Sequence, residues 1–248
     1  MLESINIILF ANENYYFGKP KCIETIGNIP VIVFFLNSLD NLKEEYNLNY
    51  TLIIHETEKE IIEDEMTRWD FKINILSTKK RDVDFSILYH YKKSNFFIQS
   101  DYYMVLNIFF PFISPNLYRN FIETGKKKPL IMVGDFKNIK KKYNLLKILK
   151  KGERGIFSEK GDLTYLHITF FNENDFKNIF SYMNLYPVQY FYCLFFNIFS
   201  LPKFYNDYDL VPFIKEQDLS YLNYLYKMKE KREMIIEMEK LWKKWKEL

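Results

Sequence analysis

The first forty residues limit the fold more than any other part of the chain. Ile5, Ile7, Ile8, Leu9, Phe10 and Ala11 form a short run dense in β-branched and aromatic residues. Such a run is the mark of a parallel strand buried on both faces. An irregular loop follows, Asn12-Glu13-Asn14-Tyr15-Tyr16-Phe17, then Gly18-Lys19-Pro20-Lys21, and an apolar helix opens near Pro30. A loop placed directly after such a strand lets backbone N–H groups and a lysine meet negative charge. This loop has that position and almost none of the glycine that usually fills it.

Alternation of strand-like and helix-like segments continues for about 170 residues. The helix from Pro30 runs to about Leu42, and Thr51 to Ile54 reads as a strand followed by a charged helix from Glu58 to Trp69. Ile73 to Leu76 and Tyr102 to Ile108 are further strands, with a helix from Asp82 to Lys92 between them. Ser114 to Thr124 is a helix and Pro129 to Val133 a fifth strand. The pattern predicts an α/β fold of three layers, a mostly parallel Rossmann-like sheet with helices on both faces. Ligands of such sheets bind at the carboxyl ends of the strands, where the Asn12–Lys21 loop lies.

The last third differs. No charged residue lies between Leu185 and Lys203, a stretch rich in Phe and Tyr but broken by Pro187. A membrane-crossing helix needs roughly 20 predominantly apolar residues, so this segment reads as a buried or interface helix pair and no transmembrane segment is expected. From Glu216 to Leu248 a long helix carries Met234, Met238, Leu241, Trp245 and Leu248 at 4-3-4-3 spacing. The chain therefore divides into an α/β domain over 1–225, with an apolar helical segment at 174–203 and a helical, aromatic-rich C-terminal part. The amphipathic helix at 216–248 packs on that domain or on a partner, a homodimer contact being one option.

Composition narrows the function classes. Two cysteines, Cys22 and Cys193, make neither a disulfide framework nor a zinc site, which fits a reducing cytoplasm. The first residues have no basic or cleavable apolar region, so no secretion signal is expected. The net charge of +3 hides a basic block at 126–154, where ten Lys and one Arg face only Asp135 and Glu153. That block carries +9 and leaves −6 for the rest of the chain. Ile139, Tyr143, Leu146 and Leu149 recur within it at helical spacing, which predicts a solvated helix face. Contact with nucleic acid is the weaker reading, since no aromatic-interleaved groove or known motif accompanies the charge.

Three separated segments resemble one family. Leu9, Ala11, Gly18, Pro20 and Lys21, then Ile23, Ile26, Gly27, Pro30, Val31 and Ile32, follow the order of an L-x-A-G-x-G-x-R-M-G-x-P-K opening and its sequel. Pro111-Phe112-Ile113-Ser114-Pro115, with Leu117 and Ile122, resembles the D-x-P-F-I-x-P-x-L-I segment after a fourth strand. Lys215 to Leu219 is similar to a closing D-I-D-T-P-E-D-L. Together they span about residues 5–225 and resemble the GT-A-like nucleotidyltransferases, especially the molybdenum cofactor guanylyltransferase-like NTP transferases.

The resemblance implies a GT-A type sheet and transfer of NMP from a nucleoside triphosphate to a phosphate or alcohol acceptor, with pyrophosphate leaving. It assigns Lys21 as the catalytic cation and Ala11, Asn12, Asn14 and Lys21 to the nucleotide's phosphates. Asp84 and Ser86 fall at the nucleobase-recognising turn, where Asp82 or Asp84 also reads as a helix cap. Mg²⁺ is the implied cofactor of an active enzyme, and no other is called for. The costly positions differ, however. Asn12 and Asn14 replace glycines, Tyr16 replaces the arginine, and Phe109 and Ile214 stand where the metal-binding aspartates belong, so no metal ligand is assigned. Asp101, Asp135, Asp207 and Asp209 are candidate substitutes, each more often a turn or cap residue. His55, His90 and His167 receive no role. A diverged NTP transferase, weak or inactive with Mg²⁺, and a non-catalytic binding or assembly module using the basic block both remain open.

Overall fold

The apolar runs pair into one nine-stranded sheet in the computed structural model, which describes residues 2–12, 19–79, 85–108, 113–134, 147–151, 153–157, 163–183, 197–200 and 218–228. In chain order the strands begin with β1 (Ser4–Phe10), a small hairpin of β2 (Thr25–Ile26) and β3 (Ile29–Pro30), and β4 (Asn47–His55). β5 (Asn74–Thr78), β6 (Tyr102–Asn107) and β7 (Leu130–Gly134) follow. The series closes with β8 (Lys147–Lys151), β9 (Arg154–Phe157), β10 (Leu163–Asn172) and β11 (Asn197–Ser200). The large sheet runs β5-β4-β1-β6-β10-β7-β11-β9-β8. β5, β4, β1 and β6 are parallel, as are β7 and β11, and β10 lies antiparallel between β6 and β7.

Helices cover both faces because β1 is apolar on both. Ile5, Ile7 and Leu9 alternate with Ile8 and Phe10, so each set faces a different layer. The first set packs with α1 (Val31–Asp40), α2 (Lys59–Arg68), α4 (Pro115–Gly125) and Leu222 of the 218–228 helix. The second meets Leu88 and Tyr91 of α3 (Phe85–Lys92) and Phe176 of α5 (Glu173–Met183). Aromatic rings fill much of this second layer. Tyr103 and Phe176 stack with centroids 4.4 Å apart, and Phe97 and Phe171 lie against Phe176 at 5.7 and 5.3 Å. Such offset pairs add to what burial alone contributes.

One polar group interrupts β1. Asn6 is fully buried, and its amide donates to Tyr91 Oη at 3.1 Å and to the Ile98 carbonyl at 3.2 Å. Its carbonyl oxygen accepts from Thr51 Oγ1 at 3.2 Å, and Thr51 meets Tyr91 Oη at 2.9 Å. A buried amide is tolerated only when its hydrogen bonds are made, and this network ties β1, β4 and α3 together.

Two predicted helical stretches are strands instead. Leu149 sits in β8, which pairs with β9 across a Glu153 turn and with Leu163 and Thr164 at the start of β10. Tertiary pairing overrides the helical spacing there, and the other residues of that stripe, Ile139, Tyr143 and Leu146, lie outside the described residues. Likewise 197–200, part of the predicted helical segment 174–203, pairs with β7 as β11, with Asn197 N donating to the Pro129 carbonyl at 2.8 Å. α5 accounts for the first portion of that segment. The stripe at Met234–Leu248 lies outside the described residues. The 218–228 helix packs on its own domain: Tyr226 meets Phe34 edge-on, and Asn223 Oδ1 accepts from Gly27 N at 2.6 Å.

Gly27 turns the β2–β3 hairpin with φ of +64°, the left-handed region that side chains resist. A Cβ there would also stand 2.8 Å from Tyr226 Cε1. Gly27→Ala is expected to cost about 1–3 kcal/mol from crowding and backbone strain, read as a lower thermal midpoint. Tyr91→Phe strands the Ile98 N–H, which donates to Tyr91 Oη at 3.1 Å, and one bond of Asn6. A loss of about 1–3 kcal/mol in denaturant unfolding is expected.

Candidate functional site

The carboxyl edge of the sheet gathers the candidate residues. β1 ends at Phe10, which registers with Ile53 of β4 and with Asn107 of β6. Ala11 N donates to the Ile53 carbonyl at 2.8 Å, after which Ala11 and Asn12, both buried, leave the sheet. Past the loop the chain returns at Lys19 and Pro20 and makes a 3-10 turn over Lys21–Ile23. Cys22 and Ile23 sink into the core and draw Lys21 with them, leaving it only 2% exposed. A lysine so placed keeps its charge only with help from its surroundings.

β10 delivers the opposite side. Its pairing with β6 ends at Ile168–Leu106, so His167 stands level with Asn107, the buried polar residue that closes β6. The register with β7 shifts between Tyr165 and Thr169, and His167 takes up the irregularity with φ of +57°. A bulge of this kind re-aims a side chain. The His167 ring lies 4.7 Å from that of Tyr165, whose hydroxyl meets Thr169 Oγ1 at 2.7 Å. Burial first, and then the Lys21 charge, push His167 from 6.5 down to about 4, so the imidazole is neutral at pH 7. The Cys22 thiol is pushed far up by burial and then by Glu58, and is no nucleophile. Burial raises Glu24, opposed by Lys19.

Of the residues singled out from sequence, Ala11, Asn12 and Lys21 share this edge. Ser86 belongs to α3, which follows β5 from the same edge. Asn14, Tyr16, Asp82, Asp84, Phe109, Asp135, Asp207, Asp209 and Ile214 lie outside the described residues. Asp101 is excluded as a substitute ligand. Its carboxylate accepts from Ser4 N and Ser4 Oγ, both at 2.8 Å, at the amino ends of β1 and β6. The length of β6, about 20 Å for six residues, separates it from Lys21. An open cleft of about 440 Å³ lined by Ser4, Gln99, Asp101, Asn172 and Glu173 lies at that far edge, too acidic for a phosphate.

Two further polar residues, Asn107 and His167, stand at this edge. Asn107 carried a readable signal, a lone polar residue closing an apolar strand directly before the matched Pro-Phe segment. His167 carried none, because its bulge is created by two neighbours of different register. His55 caps its own turn, with Nδ1 2.8 Å from Thr57 Oγ1, and His90 is exposed on α3.

No protein-family model matches the chain, and no curated protein matches its sequence. Solved structures do match. A 4-diphosphocytidyl-2C-methyl-D-erythritol synthase from Anaerococcus prevotii shares 18% identity at a TM-score of 0.62, over 91% of this chain and 99% of that one. The inositol-1-phosphate CTP transferase of T. maritima shares 11% at 0.65, over 89% and 94%. A nucleoside-diphosphate-sugar pyrophosphorylase from Vibrio cholerae shares 12% at 0.61, over 88% and 99%. The chain thus has the Rossmann-like, GT-A-like α/β fold of these nucleotidyltransferases. Among the described residues, no helix is long and apolar enough to cross a membrane.

A histidine whose folded value lies below its unfolded one contributes stability that is complete at high pH and is lost as pH falls. For His167 the window runs from about 6.5 to about 4, and the loss is at most about 3 kcal/mol. Glu24 and Asp175, carboxylates raised by burial, act in the opposite sense. His167→Asn, which tolerates a left-handed backbone, isolates the histidine. Its denaturant midpoint is expected to fall less than the wild-type midpoint between pH 6.5 and pH 4.5.

Proposed function

We propose that this protein binds a nucleoside triphosphate at the carboxyl edge, with its phosphates against Lys21, and that Mg²⁺-dependent nucleotidyl transfer is weak or absent. The observation that carries the reading is the turn at Lys21–Ile23, which holds a buried lysine beside the exit of β1. Ala11, Asn12 and Asn14 take the phosphate side and Asp84 and Ser86 the nucleobase. Lys21 neutralises the anion in a poorly hydrated setting, where such a contact counts for more than in water.

The backbone of the basic block reaches the same edge of the sheet. Lys147 of β8 pairs through its backbone with Thr164, three residues before His167. Elsewhere the block is partly neutralised, Lys126 by Glu3 at 2.6 Å and Glu123 at 2.7 Å, and Lys128 by Glu153 at 2.6 Å. That favours a nucleotide site over a broad docking surface.

The resemblance also implies Mg²⁺, which prefers carboxylate and phosphate oxygens. The described residues offer it a buried carboxylate, Glu58 after β4, beside an ammonium, a neutral imidazole and the two amides of Asn12 and Asn107. Among the described residues, no group of three or more His, Cys, Asp and Glu could hold a metal ion.

Calorimetric titration with GTP, CTP, UTP and ATP, with and without Mg²⁺, tests the reading. Micromolar binding is expected for at least one nucleotide, changed little when Mg²⁺ is withdrawn. Lys21→Ala should weaken it at least about tenfold, since a charge-assisted bond to phosphate contributes roughly 1.5–3 kcal/mol. A folded protein that binds none of the four would overturn the proposal, and binding that ignores Lys21 would remove the phosphate role from that residue.

A further inference from the structure

We propose that the cleft at the amino edge of the sheet is a second binding site, which takes a primary alkylammonium compound of the diamine or polyamine class with its ammonium group on Asp101. This second site is independent of the nucleotide reading, which concerns the opposite ends of the strands. Three element ends build the cleft: Ser4 opens β1, Asp101 and Tyr102 lead into β6, and Asn172 and Glu173 join β10 to α5. Hydrogen bonds stitch them together, since Asp101 N donates to Ser4 Oγ at 2.9 Å and Glu173 N to the Asp101 carbonyl at 3.1 Å. The volume of about 440 Å³ falls in the range of small-molecule sites, roughly 300–1,000 Å³. Ser100, only 5% exposed, also lines the cleft. Its N–H donates to Tyr103 Oη at 3.1 Å, and its Oγ has no hydrogen-bond partner. A buried hydroxyl left unpaired is costly, and this one turns about a single torsion beside an open cleft.

The lining selects the charge of the occupant. Among the described residues it holds two carboxylates, Asp101 and Glu173, and no lysine, arginine or histidine. Bonds from Ser4, first its N–H and then its hydroxyl, hold Asp101 below the ordinary carboxylate range, so it is ionised at pH 7. Both bonds fall on Oδ2, which leaves Oδ1 as the acceptor for a ligand. Glu173 is more committed: Oε2 accepts from Tyr103 Oη at 2.7 Å, and Oε1 lies 3.5 Å from Lys177 Nζ. It adds negative field rather than a direct bond. The amino end of α5 gives an anion little in return, because Glu173 N is already taken and Asp175 N donates to Asn172 Oδ1 at 2.8 Å. A hard metal ion is poorly matched. It seeks about six oxygen ligands, and among the described residues no three His, Cys, Asp or Glu side chains could hold one. An ammonium group brings three donors on a compact charge. Asp101 Oδ1, Ser100 Oγ and the side-chain amides of Gln99 and Asn174 are the acceptors that the lining offers it, and Tyr102 offers an aromatic ring to the adjoining methylenes.

The test titrates the full-length protein with putrescine, with spermidine and with 1,4-butanediol, which matches putrescine in length without its charge. Putrescine is expected to bind at one site per chain, spermidine more tightly and butanediol not at all. Because the ion pair is exposed, the amine affinity should fall several-fold as NaCl rises from about 50 mM to about 300 mM. Asp101→Asn keeps an acceptor for Ser4 and removes the charge, and should weaken putrescine at least about tenfold. Ser100→Ala should weaken it about threefold while the thermal midpoint of the free protein stays level or rises, since an unpaired buried hydroxyl is removed. A merely structural Ser100 gives the reverse, a lower midpoint and an unchanged affinity. Butanediol binding as tightly as putrescine, or an affinity indifferent to Asp101→Asn and Ser100→Ala, overturns the proposal. So does a folded protein that binds neither amine.

Discussion

The position of β1 governs the rest of the structure. It is hydrogen-bonded in parallel on both sides and apolar on both faces, so its neighbours, its register and its covering helices are all constrained at once. Sliding it by one residue would exchange Ile5, Ile7 and Leu9 with Asn6, Ile8 and Phe10 and put the amide into an apolar layer. The Asn6, Thr51 and Tyr91 bonds penalise that slip a second time, because a buried amide finds its partners in only one register. Everything at the carboxyl edge inherits its placement from this strand, since Phe10 fixes both where the loop departs and which residue of β6 lies beside it.

Strands buried on both faces were the legible part of the sequence. β1, β4, β6 and β7 read as apolar runs because nothing in a doubly covered sheet asks for alternation. Helices were legible where a cap announced them, as Ser114 and Pro115 do for α4, with Ser114 Oγ accepting from Leu117 N. The failures share a cause. β8 and β11 carry no strong pattern of their own, and what makes them strands is an unpaired neighbour offering bonds. Such elements are defined by their partners, and periodicity within a window cannot register a partner far away in the chain.

The same division separates the two halves of the candidate site. Lys21 could be found from sequence because it follows a strand and a loop in unbroken order. His167 depends on β10 meeting β6 and β7 in different registers, a circumstance written in none of the three strands alone. Asn107 falls between these cases.

The contact between Gly27 and Asn223 joins positions 196 residues apart, and it falls only six residues beyond Lys21. Leu222 and Tyr226 brace the same hairpin from outside, through the buried cluster and through Phe34. The 218–228 helix is therefore a clasp, closing a circle that begins at the first strand. A displacement of that helix has a short mechanical route to the lysine, through one hydrogen bond and one two-stranded turn. Gly27 and Asn223, remote in sequence, are thus neighbours close to the turn that carries Lys21.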